Sequence, residues 1–541
     1  MISLAHSHPI HSCAEAKELE SDLLKGETTE WSAMQQAGAA VACALLSDFK
    51  EIGWLPIDAH LLVLVGKGHN GGDALLAAKA ILEQFPQATV DFVICFGEAS
   101  LRPLARRSLD ALLGTGLPTR VRLINLGSDF PATRYDICLD GIFGFQFRPP
   151  LDVPTAEIIA QVNTHPHIKL RAAVDLPSGL GETNATTIFR ADFTYATGIV
   201  KSPVILEANA AHVGRLRYLD LGFFNNVAGL AEPGLSPGSA VAAVARVAPP
   251  ATDFILLPSI LQPLAQLRPT QTDKRTYGHL FVVGGSRNYP GAVLMTVQAA
   301  LRSGVGLLTA FVPESLVPEY AACFPEAMWV GMPQTTSGGI SPAGVPLLRE
   351  KLSRATALVI GPGLGTEPET LAAVQAIVRN TNKSSEAPHP DVRNTNIPLL
   401  LDADALRPEV LDAARGNPFI GTPHAGEFKR IAGDASLRDF CRERGAVVVQ
   451  KGPLTRISAG EAVYFSCYGG PVLARGGSGD LLAGLIGGLL AQGPTDLLLA
   501  AARGVVWHGL AADLLARDRG QVAVQTTQLL DYLSPALREA L

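Results

Sequence analysis

Residues 473–480 read Leu-Ala-Arg-Gly-Gly-Ser-Gly-Asp and run straight into an apolar stretch, 481–492. Three glycines, Gly476, Gly477 and Gly479, let the backbone turn several N–H groups toward one point. A helix behind them would add the positive end of its dipole, an arrangement that suits a phosphate or another developing anion. Asp480 would lie in the same field, which favours its ionised form, so a carboxylate base beside an anion hole is one reading. A plain helix cap is the other, because aspartate is a preferred N-cap.

A second glycine-rich stretch, Gly-Lys-Gly-His-Asn-Gly-Gly-Asp at 66–73, follows the apolar run 61–65 and precedes a helix expected from Ala74 to about Gln84. Strand, glycine turn and helix make the nucleotide-binding arrangement. Gly66, Gly68 and Gly71 have the dinucleotide spacing, but only Glu98 stands near the acid expected after the next strand, 89–96. Two further strand-like runs, 135–140 and 171–175, end in Asp140 and Asp175. The carboxyl ends of strands in an open parallel sheet share one crevice, where the oxygens of Asn70, Asp140 and Ser178 could converge on a hard cation. Each aspartate could instead cap a following helix.

The elements that must position these groups follow from composition and order. At 541 residues the chain is too long for one core, and 47% hydrophobic content gives each half one of its own. A net charge of -6 without long charge runs points away from nucleic-acid and membrane-surface partners. Seven dispersed cysteines without a CxxC pair fit reduced thiols in a cytoplasm. The N-terminus has no signal-peptide pattern, and no apolar run reaches membrane-spanning length. The start, with His6, His8 and His11, reads as disordered and polar, and 12–50 as helical. Strand-like runs at 191–197 and 214–220 close the first half. From 226 to 262 periodicity gives way to Pro, Ala and Gly, which reads as a linker. The division is therefore 1–228, a linker at 229–250, and 251–541. The second half carries strand-like runs at 277–283, 306–312, 357–360, 398–401, 419–420 and 446–450, a helix ending at Ser303, and a polar insertion at 380–396. Strand after strand ends in glycines or acids, so an α/β fold could line one sheet edge with them.

These residues carry a resemblance over nearly the whole length. In the first half it rests on 66–73, Asp140-Gly-Ile-Phe-Gly144, Asp175-Leu-Pro-Ser-Gly179 and Lys201. In the second it rests on Gly284-Gly-Ser286 with Tyr289-Pro-Gly-Ala292, Gly361-Pro-Gly-Leu-Gly365, Asp402-Ala-Asp-Ala-Leu406, Thr422-Pro-His-Ala-Gly-Glu427, Lys451-Gly452 with Thr455, and Gly476-Gly-Ser-Gly-Asp480. The chain resembles the bifunctional NAD(P)H-hydrate repair enzymes. The resemblance implies a Rossmann-like three-layer epimerase domain, then a ribokinase-like α/β dehydratase domain. The first interconverts the R and S forms of NAD(P)H hydrated on its nicotinamide ring. The second dehydrates the S form with ADP or ATP as co-substrate and Mg2+ on the phosphates.

Residue by residue, the resemblance implies K+ ligands at Asn70, Asp140 and Ser178. It implies hydrate contacts at His69, Asn70, Gly71, Gly72, Asp73, Gly144, Phe145, Gln146, Phe147, Arg148, Pro149 and Pro150, with Asp175 and Lys201 as acid/base candidates. In the second domain it implies hydrate contacts at Ala292, Gly363, Gly365 and His424, and nucleotide contacts at Lys451, Gly452, Pro453, Leu454, Thr455, Gly477, Ser478 and Gly479. It places Asp480 in the same hydrate site, where the expected role is that of the catalytic base. A homo-oligomer is also implied. Three departures stand out: His69 replaces an asparagine, Ala74 replaces a glycine, and Phe143-Gly-Phe-Gln-Phe147 replaces Phe-Gly-Thr-Gly-Leu, losing a hydroxyl and a flexible glycine. Two other readings are a small-molecule kinase of the ribokinase superfamily, and a dehydratase whose N-terminal domain only binds or dimerises.

Overall fold

The computed structural model describes residues 2–114, 120–124, 133–224, 252–381, 396–493 and 496–540. The chain divides into two compact units. One comprises His8–Ile255 and Ala516–Gln521, the other Met1–Ser7, Leu256–Leu515 and Val522–Leu541. The expected linker, 229–250, lies outside the described residues.

In the first unit the elements are β1 (Ser7–His11), α1 (Cys13–Leu23), α2 (Glu27–Phe49), β2 (His60–Val65), α3 (His69–Gln84), β3 (Thr89–Ile94), α4 (Pro103–Leu113), β4 (Val121–Ile124), β5 (Tyr135–Gly141), α5 (Val153–Thr164), β6 (Ile168–Val174), β7 (Phe193–Thr197), β8 (Val200–Lys201), α6 (Ala210–Val213) and β9 (Arg215–Leu219). Seven strands form a parallel sheet in the order β4-β3-β2-β5-β6-β7-β9. The continuous apolar run of β2 belongs to a central strand covered on both faces. Leu61, Val63 and Val65 face the core formed with α2, α3 and α4, while Leu62 and Leu64 face the core formed with α5. Period-two alternation thus builds three layers, as expected for an α/β domain.

Sequence reading and structure differ here in three places. The N-terminal stretch is not a disordered start. All five residues of β1 are buried, and the strand pairs with β8 through Ile10–Val200 and His11–Lys201. Its histidines are satisfied inside: His8 Nδ1 lies 2.7 Å from the Tyr218 hydroxyl, and His8 and His11 pack against Phe224. The helical stretch 12–50 is two helices, broken where Gly26 adopts a φ of 96°. Helix α3 starts at His69 rather than Ala74, so Asn-Gly-Gly-Asp is its first turn.

Strand β10 (Asp253–Leu256) spans the chain boundary between the units, and in the second unit come β11 (His279–Val283), α7 (Pro290–Arg302), β12 (Leu307–Pro313), α8 (Val317–Cys323), β13 (Met328–Met332), α9 (Val345–Lys351), β14 (Ala357–Ile360), α10 (Pro368–Asn380), β15 (Leu399–Leu401), α11 (Pro408–Ala413), β16 (Phe419–Gly421), α12 (Ala425–Ala432), α13 (Leu437–Arg444), β17 (Val447–Gln450), β18 (Thr455–Ser458), β19 (Val463–Ser466), α14 (Ser478–Gln492), α15 (Leu497–Arg519) and α16 (Leu533–Glu539). Strands β13-β12-β11-β14-β15-β16-β17 are mutually parallel, and β18 and β19 continue the sheet antiparallel. The acids and glycines after β14, β15, β16 and β17 therefore share one edge, as the runs suggested. The tail of the expected linker text, 252–262, is instead ordered as β10 and the start of a 3₁₀ helix, Pro258–Ala265. Nearly all of the polar insertion expected at 380–396 lies outside the described residues.

Helix α14 begins at Ser478 and packs on α7 and β14. A Cβ at Gly484 would overlap the Thr296 carbonyl of α7, which is why an apolar helix here needs a glycine. Among the described residues α15 is long and apolar enough to cross a membrane, a run the sequence reading did not credit. Its most apolar window has a mean hydropathy of 1.3 and is 67% buried, as in a core helix.

Candidate active sites

The first unit carries a cleft of about 480 Å³ at the carboxyl ends of β2, β5 and β6. The loop after β2 turns tightly at Gly66, where a Cβ would overlap the Ile142 carbonyl. The N-cap of α3, Gly68, has no side-chain cap, leaving the first amides of that helix open toward the cleft. His69, Asn70, Asp73, Gly144, Phe145, Gln146, Phe147, Arg148 and Pro150 line the cleft, as do Asp175 and Lys201. Gly71 and Gly72 do not: their missing side chains make room for the Gly66 carbonyl and for Met34. Pro149 is not among the lining residues either.

At one end of the cleft four ionisable groups meet. Lys201 is buried, its Nζ 2.6 Å from Asp175 Oδ1 and 3.5 Å from Glu20 Oε1, with the Phe145 ring 4.7 Å away. Burial alone would lower the lysine, but Asp175 and Glu20 outweigh it and hold its pKa above the ordinary value. Burial raises Glu20 to about 7 against the pull of Lys201. Asp73 is held well above the carboxylate range by burial, then by Asp175 and Glu20; its Oδ1 has no hydrogen-bond partner. Asp175 itself has a φ of 64°, a strained conformation for a residue with a side chain, and its Oδ2 accepts the Phe145 amide at 3.3 Å. Lys67, Arg102 and Arg148 line the same cleft.

Beneath the cleft Asp140 is fully buried. Ser178 donates to it twice, from the amide and from the hydroxyl, each at 2.7 Å. Burial raises its carboxyl to about 6, opposed by those bonds and by the Ile142 amide. No ion-pair partner for Asp140 occurs among the described residues. Asn70 brings a buried amide whose Nδ2 is unpartnered. One carboxylate with neutral oxygens fits a monovalent cation better than a divalent one, and no group of three His, Cys, Asp or Glu with metal-binding geometry occurs among the described residues.

In the second unit the site gathers around the start of α14. Its N-cap is Gly477, φ 90°, without a side-chain cap. Asp480 is therefore the third residue inside the helix, and the cap reading of this aspartate is excluded. Among the described residues no acceptor meets the amides of Gly476, Gly477, Gly479 and Asp480. The Ser478 amide bonds to Arg475, and its hydroxyl turns away to the Leu473 carbonyl at 2.7 Å. The helix dipole does not set the charge of Asp480. Burial and then Asp402 raise its carboxyl to about 7, Lys451 opposes them, and Asp404 adds to the rise.

Lys451, just past β17, reaches Asp402 Oδ1 at 3.0 Å, and its Nζ would lie 3.2 Å from a Cβ on Gly479. Thr422 Oγ1 donates to the same Asp402 oxygen at 2.6 Å. Gly452, Pro453 and Leu454 form the partly exposed turn after Lys451, and Thr455 opens β18. His424 caps α12, its Nδ1 accepting from Gly426 at 3.0 Å, and bridges in parallel to Lys451. Gly365 donates to Asp404 Oδ2 at 2.9 Å and faces open space. Gly363 accepts from Ser286 and lies against Ala292. All the expected residues of this domain thus sit along or beside one sheet edge. Sequence reasoning missed His508 of α15, buried with an unpartnered Nε2 and pushed down to about 4 by burial. It also missed Glu20 and Arg102, which no motif spacing marks, and it gave Lys67, inside the 66–73 motif, no role.

Two family models match the chain. One, described as YjeF-related protein N-terminus, covers residues 31–202, and the other, NAD(P)H-hydrate dehydratase, covers 280–535. A bifunctional NAD(P)H-hydrate repair enzyme of Gloeobacter violaceus is 33% identical over 546 residues, with 97% of each chain covered. The chain belongs to the bifunctional NAD(P)H-hydrate repair enzyme family. A ribokinase-like superfamily protein from Enterococcus faecalis is 26% identical, covering 53% of this chain and 95% of its own, with a TM-score of 0.45. An ADP/ATP-dependent NAD(P)H-hydrate dehydratase from Bacillus subtilis, co-crystallized with ATP/Mg2+, is 26% identical, covering 51% of this chain and 94% of its own, with a TM-score of 0.41. Membership in the repair family agrees with the expected order of an epimerase-type domain and a dehydratase-type domain, both α/β.

Proposed function

We propose that the chain repairs hydrated NAD(P)H in two steps, with residues 1–228 interconverting the R and S hydrates and 251–541 dehydrating the S form with ADP or ATP. The observation that carries the reading is Asp480 in the first turn of α14, beside Lys451 and the unfilled amides of Gly476, Gly477 and Gly479. Asp480 takes the proton of the ring hydroxyl as its oxygen attacks the terminal phosphorus and the phosphoanhydride bond breaks. The amides and Lys451 hold the transferring charge. The ring nitrogen then pushes out phosphate, and a proton leaves the adjacent carbon to restore the reduced ring.

Nucleotide lies along Lys451, Gly452, Pro453, Leu454, Thr455, Gly477, Ser478 and Gly479, with Mg2+ carried on its phosphates. The hydrate lies against Ala292, Gly363, Gly365 and His424. In the first unit, Lys67, Arg102 and Arg148 support a mooring for the dinucleotide phosphates, and the Asp175–Lys201 end supports the ring chemistry. Asn70, Asp140 and Ser178 would hold K+, which would supply a countercharge to the buried Asp140. The cytoplasm is the compartment this reading assigns, and the working form a homo-oligomer.

Pure S hydrate with ADP, and separately with ATP, tests the second step: the reading expects NAD(P)H and free phosphate. A stable phosphorylated product would favour a small-molecule kinase instead. Replacing K+ by a large organic cation is expected to slow R-to-S conversion while S dehydration persists. An unchanged epimerase rate would remove K+ from that site.

A further inference from the structure

We propose that Glu20 is an acid–base residue of the epimerase cleft, coupled through the Lys201 ammonium to Asp175. The inference rests on the epimerase reading of the first unit. Glu20 comes from α1, before the segment that the N-terminal family model matches, 31–202. It nonetheless lines the cleft, and its Oε1 lies 3.5 Å from the same Nζ that Asp175 Oδ1 meets at 2.6 Å. One ammonium therefore bridges two carboxyl groups at the wall of one cleft.

Inverting the hydrated carbon needs a proton delivered to the departing hydroxyl and another taken from the water that returns to the other face. Glu20 gives its proton to the leaving hydroxyl. The carbon–oxygen bond breaks, water departs, and the ring-nitrogen lone pair forms a C=N⁺ bond. Water then adds from the opposite face, the electron pair returns to nitrogen, and Asp175 accepts the surplus proton. Lys201 takes that proton from Asp175 as it passes one of its own to Glu20, so the cycle closes with no net proton change.

The neighbouring groups single out Glu20. Asp73 of α3 is buried and held well above the carboxylate range, a permanent acid that makes a poor base. Cys13 of α1, which bonds through its amide to Glu182, is pushed up to about 12, chiefly by burial, and stays neutral. His11 of β1 is lowered by burial. Asp175 is gripped by Lys201. Glu20, raised to about 7 by burial, is free to hold or release its proton at neutral pH.

The test follows R-to-S conversion above the spontaneous rate, against pH, in the full chain and in Glu20→Gln and Glu20→Asp. S-hydrate dehydration by the other unit serves as the folding control. Wild-type kcat should fall as pH rises through about 7, where Glu20 loses its proton. Glu20→Gln should lose about 10²-fold in kcat with KM little changed, and should lose that limb. Glu20→Asp should recover part of the rate with the limb displaced. Wild-type rate and limb in Glu20→Gln overturn the assignment. Should that variant fail to fold, an unmoved limb at full rate in Glu20→Asp overturns it. A wild-type chain that leaves R hydrate untouched overturns the epimerase reading, and the assignment with it.

Discussion

Asp480 shows what a single residue's surroundings add to its type. Its place in a glycine-rich turn before a helix was legible, and two roles were open for it. The structure removes the cap, because Gly477 holds that position. It also reverses the expected electrostatics. A helix N-terminus stabilises a carboxylate by roughly 0.3–1 kcal/mol at an exposed site. Burial and the charge of Asp402 act the other way and prevail, raising the group to about 7. A base must be ionised to act, so the dehydration rate should climb as pH rises through about 7. Asp480→Asn should lower kcat by ~10²–10⁴-fold and leave nucleotide affinity largely intact, as read by titration calorimetry. Wild-type turnover in that variant would reassign the base. Glu20 was illegible for a different reason: it sits in an ordinary amphipathic helix, and its partner Lys201 lies in a distant strand that only the fold brings near.

At the scale of elements, the strands were the most legible part. Apolar runs bounded by glycines and acids fixed β2, β5, β14, β15, β16 and β17 to within a few residues. Helix starts were less legible. Helices α3 and α14 both begin inside glycine motifs, where poor helix propensity reads as loop. Tertiary contact overrides it: Gly71 must clear the Gly66 carbonyl, and Gly484 must clear Thr296. Thr296 also bonds the Asp480 carbonyl at 3.1 Å, so α7 positions the start of α14. Gly484→Val should therefore cost about 1–3 kcal/mol in the unfolding of the second unit and lower dehydratase kcat. Calorimetry checks it; an unchanged melting transition would mean the two helices are not held this closely. Strand β1 was misread because its histidines look polar, yet a hydroxyl partner and aromatic packing let them be buried.

At the scale of the whole molecule, two sites with opposite proton requirements share one chain. The proposed epimerase acid, Glu20, must keep its proton and the proposed dehydratase base, Asp480, must lose its own, and burial raises both carboxyls to about 7. Repair of a mixed hydrate should then peak near neutrality and fall on both sides. The substitution of Phe145 and Gln146 for the family's Thr-Gly pair does not fill the cleft; Phe145 instead covers Lys201. That supports a working first unit, and one assay decides it. An R and S hydrate mixture is given ADP or ATP and followed to completion, with spontaneous epimerisation subtracted. The account predicts consumption of both epimers by the wild type, and arrest after the S fraction in Asp175→Asn. Arrest after the S fraction in the wild type would contradict it.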